Sequence, residues 1–123
     1  MENTSISPNN PDFAKPKGLS PKGEAAYAAI MRMFHDLMPD GVDAGGCTTF
    51  YSPAEWEARG EVYSQDAELV VVYDGGEVGI FFDYDKAYEF GTYSWQEKMA
   101  DALLKLGLYF ECGTCWYGGV YNI

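Results

Sequence analysis

Two short runs of apolar and β-branched residues, Leu69–Tyr73 and Val78–Phe82, lie near the middle of the chain on either side of Asp74-Gly75-Gly76. An Asp-Gly pair between two such runs is typical of a β-hairpin, because glycine accepts the positive φ that a tight turn needs. We therefore predict a hairpin here, with acidic residues at its turn and at its exit.

A second pair of strands is predicted at the C-terminal end of the chain. Leu108–Cys112 and Trp116–Ile123 are rich in aromatic and β-branched residues, and Gly113-Thr114 lies between them as the turn. The Gly118-Gly119 pair interrupts the last of these runs. Glycines inside a strand often mark a bulge, so we expect one at this position.

Helical periodicity predicts two main helices and one short helix. The first helix begins at Ser20-Pro21, a serine N-cap followed by a proline at the first helical position, and Pro39-Asp40-Gly41 ends it. Ser52-Pro53-Ala54-Glu55 has the form of a capping box and predicts a short helix that Gly60 ends. The last helix follows Ser94. Each of these segments is expected to bury one apolar face.

These elements predict an α+β domain of order α-α-β-β-α-β-β. Its antiparallel four-stranded sheet consists of two hairpins, and the two main helices and the short helix cover one face. The glycine-rich residues 40–51 predict a loop that leads into a short extended piece. Residues 1–18 are polar and rich in proline, and predict a disordered N-terminal arm in which Phe13 is the group able to dock. Residues 19–123 are predicted to form a single domain.

The net charge of the chain limits the classes of partner that we expect it to bind. The 123 residues include 19 acidic and 8 basic side chains, for a net charge of −11. The acidic excess lies within residues 36–101, in the middle of the chain. Such a negative field repels nucleic acid and anionic membranes and attracts basic proteins. We therefore expect no direct binding to nucleic acid or to a membrane. No apolar run approaches the roughly 20 residues of a membrane-spanning helix.

Acidic and aromatic side chains around the predicted central hairpin form the candidate partner-binding site. Rigid strands hold carboxylates at a fixed spacing, and neighbouring tyrosines supply aromatic anchors of the kind that protein interfaces use. The candidate residues are Asp74, Glu77, Asp83, Tyr84, Asp85, Tyr88 and Glu89. Their common partner is expected to be a basic protein surface.

Two other groups of residues suggest a metal site. Cys112 and Cys115 have a spacing at which two thiolates share one metal, and Cys47 with His35 completes a set of four ligands. A paired second knuckle is missing, however, so we interpret the cysteines as structural and expect no cofactor. A redox role is weaker still, because the pair lies at a turn and not at a helix N-terminus.

The second metal candidate is the pair Asp83 and Asp85, which a strand would place on the same face, about 6.5–7 Å apart. Such a pair of carboxylates is suited to a divalent cation or to acid–base chemistry. A solvated rim beside the turn is the simpler interpretation, because charge commonly protects edge strands.

No nucleophile and base occur in a recognisable motif, so the leading hypothesis is an interaction or inhibitor protein and not an enzyme. It would act by charge mimicry, occupying a basic groove on a nuclease or another nucleic-acid-binding effector. The alternatives are a small metal-binding protein or metal-dependent enzyme that uses Cys112, Cys115 and Cys47 or the Asp83/Asp85 pair, and a structural or accessory subunit.

In size, charge and lack of a catalytic motif, the chain resembles the small inhibitors that phages and mobile elements use against host nucleases, such as anti-CRISPR and antirestriction proteins. The resemblance is one of general character, and no motif of any one family assigns a functional residue. It implies action in the cytoplasm of a host cell. The absence of a signal-peptide pattern and the odd number of cysteines point to the same compartment.

Overall fold

A computed structural model describes residues 11–37, 48–61, 63–64, 66–74, 78–83, 88, 91, 93–114 and 116–123. Within these residues the chain forms an α+β fold with a four-stranded antiparallel sheet, which confirms the predicted class. The helices are α1 (Pro21–Leu37), α2 (Pro53–Ala58), α3 (Gly79–Phe82) and α4 (Tyr93–Leu104). The strands are β1 (Phe50–Tyr51), β2 (Leu69–Val72), β3 (Leu108–Cys112) and β4 (Tyr117–Asn122).

The sheet has the strand order β1-β2-β4-β3, and each neighbouring pair is antiparallel. β3 and β4 form the predicted C-terminal hairpin, with Phe110 opposite Val120. β2 and β4 are central, and all four residues of β2 are buried. A strand covered on both faces carries a continuous apolar run instead of an alternating one, which explains the sequence Leu-Val-Val-Val.

The prediction that Val78–Phe82 forms the second strand of a hairpin with Leu69–Tyr73 is wrong, because this segment is helical. Val78, Phe81 and Phe82 are all buried, and their spacing of three and four places them on one side of a helical turn. A short apolar run is compatible with either structure when its period is not clear. The sheet reaches four strands because the short extended piece before α2 forms β1. In this strand Phe50 pairs with Val71 of β2.

The main core lies between one face of the sheet and the helices α1, α3 and α4. Phe34 of α1 stacks on Trp95 of α4 with ring centroids 5.3 Å apart, and Phe82 of α3 meets the same indole edge-on at 5.2 Å. These aromatic contacts join three helices through one buried cluster. They fix the position of α4, on which the candidate site described below depends.

The opposite face of the sheet is also covered in part, which corrects the expectation that all helices lie on one face. Trp56 of α2 is fully buried there in a second-face cluster with Ala67, Val70, Val72 and Tyr117. The Arg59 guanidinium lies 4.9 Å from the centre of the Trp56 ring system. Side chains alternate along β2, so Val71 points to the main core while Val70 and Val72 point to this second cluster.

The packed part of the chain extends further toward the N-terminus than predicted. Pro11–Phe13 form a 3-10 turn, and the Phe13 ring is buried in the main core against Phe34 and Phe50. The Tyr27 hydroxyl donates a hydrogen bond to the Phe13 carbonyl oxygen at 2.6 Å. The predicted disordered arm, residues 1–18, is therefore too long at its C-terminal end. Residues 1–10 lie outside the described residues.

The predicted bulge at Gly118-Gly119 does not occur, because the ladder between β3 and β4 continues through both positions. The glycines have another cause. A Cβ atom at Gly118 would lie 2.6 Å from the Glu111 carbonyl oxygen and 2.6 Å from Cζ of Phe110. Gly118 is therefore needed for the close approach of the two strands and of the Phe110 ring.

Candidate functional site

The predicted acidic site is described only in part. Asp74 is exposed two residues after the end of β2, and Tyr88 is 76% exposed. Asp83 is 8% exposed, and its backbone N–H donates to the Gly79 carbonyl oxygen at the end of α3, so this residue offers a partner little surface. Four other members lie outside the described residues: Glu77, Tyr84, Asp85 and Glu89. The acidic site as a set stays a prediction.

The proposed metal ligands are described only in part as well. Cys112 is half-buried on β3, and its thiol donates to the Phe82 carbonyl oxygen at 3.0 Å. His35 is exposed in the last turn of α1. Cys47 and Cys115 lie outside the described residues, as does Asp85 of the carboxylate pair. Across the described ranges, His, Cys, Asp and Glu do not come together in groups of three or more that could hold a metal.

The structure instead shows a groove that the sequence analysis did not identify, which we call the α4–β3 groove. One wall is a stripe along α4 at helical spacing, and the other is the start of β3 together with Ile123. The volume of the groove is about 400 Å³, within the range of ligand-binding clefts. The lining residues are Tyr93, Gln96, Glu97, Met99, Ala100, Asp101, Leu104, Leu108, Tyr109, Phe110 and Ile123.

Large apolar side chains are exposed along this groove. Leu104 is 61% exposed, Ile123 is 73% exposed, and Tyr93 and Tyr109 each expose more than two fifths of their surface. Tyr88, a residue of the predicted site, extends the patch because its ring meets that of Tyr93 edge-on with centroids 6.1 Å apart. Contiguous apolar surface of this kind marks a binding site far more often than scattered single residues do.

Packing beneath the groove holds its walls in place. Gln96 is buried, and its amide nitrogen donates to the Phe81 carbonyl oxygen at 3.0 Å, which ties α4 to α3. Met99 and Leu108 are buried in the main core below the groove. The backbone N–H of Ile123 donates to the Gly107 carbonyl oxygen at 3.0 Å, so Ile123 is held beside the start of β3. The groove is therefore a preformed surface.

Among the described residues that line the groove, the charged side chains are those of Glu97 and Asp101, and both are acidic. Glu97 and Asp101 are exposed and four residues apart on α4, so they stand on the same side one turn above the other. Lys98 lies within α4 and Lys105 directly follows it, but neither lysine lines the groove. The described lining contains no cysteine, histidine or serine. Its chemistry is that of an apolar surface with an acidic rim, which suits binding.

The α4 sequence carried a signal for this groove. Trp95, Met99 and Leu103 form one apolar stripe, which is buried in the core. Tyr93, Ala100 and Leu104 form a second stripe on another side of the helix. A helix with a second apolar stripe beyond its core face has surface available for another partner. The sequence did not predict that Tyr109 and Ile123 line the groove, because strand pairing brings them there.

The second face of the sheet contains a further pocket of about 430 Å³ next to Tyr121. The Tyr121 hydroxyl donates to Oγ of Ser64 at 2.9 Å, and Ser64 has a left-handed φ of 65°. Burial raises the pKa of Tyr121, and the carboxylates of Asp66 and Glu111 raise it further. The negative field therefore reaches this side of the domain too.

Within the described residues no helix is both long enough and apolar enough to cross a membrane. Comparison of the chain with known protein-family models, with curated proteins and with solved structures finds no match.

Proposed function

We propose that the protein is a small acidic interaction protein that binds a basic partner protein and inhibits it. The observation that carries this proposal is the α4–β3 groove, where exposed Leu104 and Ile123 lie beside Glu97 and Asp101. Interfaces commonly combine an apolar centre with a polar rim, and here the polar rim is acidic. A partner that complements this surface has apolar side chains next to lysines or arginines.

Net charge supports the same choice of partner. A charge of −11 on 123 residues creates a long-range field that accelerates encounters with basic surfaces and slows encounters with acidic ones. The groove then supplies short-range apolar contacts, which determine how long the complex lasts. This division assigns the association rate to charge and the dissociation rate to the groove.

The partner class that we propose is a nucleic-acid-handling protein, such as a nuclease or another nucleic-acid-binding effector. Proteins of this class carry basic grooves that neutralise phosphates, and an acidic domain competes for such a groove by charge mimicry. The biological setting that fits is anti-defence activity of a phage or mobile element, of the anti-CRISPR type, in the cytoplasm of the host cell. The general character of the chain supports this setting.

A capture experiment tests the function. The immobilised protein is exposed to a bacterial lysate at about 0.1 M and about 1 M salt, over which the screening length falls from about 10 Å to about 3 Å. We expect nucleic-acid-handling proteins to be retained at low salt and to be displaced both by high salt and by added duplex DNA. An unrelated acidic protein of similar size and charge serves as the control bait. Retention that neither salt nor DNA changes would contradict charge mimicry.

A further inference from the structure

We infer that the α4–β3 groove binds a single amphipathic segment of the partner protein, with apolar side chains seated in the groove and basic side chains set against Glu97 and Asp101. This inference rests on the proposed function and makes it specific. It names the place of contact and the chemistry of the segment that is recognised.

The apolar part of the argument comes from the length and exposure of the groove. From Tyr93 to Leu104 the helix rises eleven residues, about 16 Å, and exposed apolar surface is present at both ends. A span of this size accommodates a peptide segment with two or three large apolar side chains. It exceeds what a single isolated side chain would need.

Charge specifies the rest of the segment. Among the described lining residues, the charged side chains are those of Glu97 and Asp101, and both are acidic. Their spacing of one helical turn allows two basic residues of a bound segment to reach one carboxylate each. Next to apolar contacts that exclude water, such pairs give more specificity than they would on an open surface.

A second copy of this chain is a poor occupant of the groove. In a two-fold dimer the same patch faces itself, so Glu97 and Asp101 of one copy would approach the same carboxylates of the other. Each copy also brings a net charge of −11. The like charges oppose the contact at short range and at long range. Charge complementarity therefore selects a basic segment.

The test uses a fluorescent synthetic amphipathic peptide of leucine and lysine, titrated with the full chain at about 0.15 M salt. Fluorescence anisotropy gives the dissociation constant. Two control peptides keep the length, one with serine for every leucine and one with glutamate for every lysine. We expect the leucine-lysine peptide to bind, and both control peptides to bind at least about tenfold more weakly.

Variants locate the binding. Leu104→Ser and Asp101→Asn change exposed groove residues and are each expected to weaken binding about three- to tenfold. The matched controls are Tyr63→Ser, which removes an exposed apolar side chain outside the groove, and Glu57→Gln, which removes an exposed charge on α2. These are expected to change the dissociation constant less than twofold. Equal thermal unfolding curves show that each variant is folded.

Nuclear magnetic resonance provides a readout that does not depend on a variant. Addition of the peptide should shift the methyl resonances of Leu104 and Ile123, and should leave those of Val70 and Val72 on the second face unchanged. Shifts confined to other sites overturn the inference.

Groove variants that bind the peptide as tightly as the native chain also overturn the inference, and so does self-association that Leu104→Ser abolishes. Neither result affects salt-sensitive, DNA-displaceable capture of a basic partner. Failure of the groove is therefore distinguishable from failure of the proposed function.

Discussion

Gly118 shows how a single residue determines the strand pairing beside the candidate site. Its position opposite Cys112 brings β4 so close to β3 that an added Cβ would overlap the Glu111 carbonyl oxygen and the Phe110 ring. Phe110 also lines the α4–β3 groove. The glycine therefore supports both the hairpin and one wall of the groove, although it does not line the groove itself.

Gly118→Ala is expected to lower the free energy of unfolding by about 1–3 kcal/mol, because the strand or the Phe110 ring must move to make room. Urea denaturation followed by circular dichroism measures this change. Glu111→Gln alters an exposed side chain in the same hairpin and should change stability by less than about 0.5 kcal/mol. An alanine variant as stable as the native chain would show that the two strands have room to separate.

Among the secondary-structure elements, the two short helices differ in how well the sequence predicted them. The capping box of α2 was readable in the sequence, and the structure confirms it: Oγ of Ser52 accepts from the Glu55 N–H at 3.2 Å, and the Glu55 carboxylate accepts from the Ser52 N–H. Val78–Phe82 has no side-chain cap and no alternation of polar and apolar residues, so its sequence does not distinguish a helix from a strand. Its helical form follows from the burial of Phe81 and Phe82 against Trp95.

Ser52→Ala is expected to destabilise the protein by about 0.5–2 kcal/mol, since it removes the acceptor for the Glu55 N–H at a fully buried position. Because α2 carries Trp56, the near-ultraviolet circular dichroism signal of the second-face cluster should weaken before the rest of the domain unfolds. Glu55→Gln keeps a side chain that can complete the box and serves as the matched control. Identical unfolding of Ser52→Ala and the native chain would exclude a stabilising role for the cap.

At the scale of the whole molecule, negative charge and apolar surface are combined on one small domain. The acidic excess extends over both faces: Glu97 and Asp101 border the groove, while Asp66 and Glu111 act on Tyr121 on the second face. In our proposal, this field opposes contact between copies of the chain and favours encounters with basic proteins. On the same proposal, the repulsion between copies offsets the tendency of the exposed apolar stripe on α4 to self-associate.

Stability is expected to fall as the pH rises above 10, because burial raises the pKa of Tyr27 and Tyr121 above their ordinary value of 10.0. The folded state holds these two protons to a higher pH than the unfolded state does. Their contribution is therefore fully present below pH 10 and is lost as the pH rises through the folded values. Denaturant midpoints measured between about pH 8 and pH 11 check this.

The double variant Tyr27→Phe/Tyr121→Phe provides the control, because it removes both titrating groups. The fall in stability above pH 10 should then be shallower than in the native chain, even though the loss of two hydrogen bonds lowers stability at every pH. An unchanged slope would assign the alkaline loss of stability to other groups.

The sequence by itself determined the features that depend on nearest neighbours along the chain. These are the α+β class, the C-terminal hairpin of β3 and β4, the start of α1 and the capping box of α2, together with the acidic charge. Each follows from local backbone preference or from composition, which need no knowledge of distant contacts.

Only the tertiary structure decided the helical form of Val78–Phe82, the docking of Phe13 and the α4–β3 groove. The groove joins Leu104 to Tyr109 and Ile123. Pairing of β3 with β4 and packing of α4 on the main core bring these residues together. Burial and long-range pairing are properties of the folded chain as a whole, so the local pattern of α4 indicates one wall of the groove and not the groove itself.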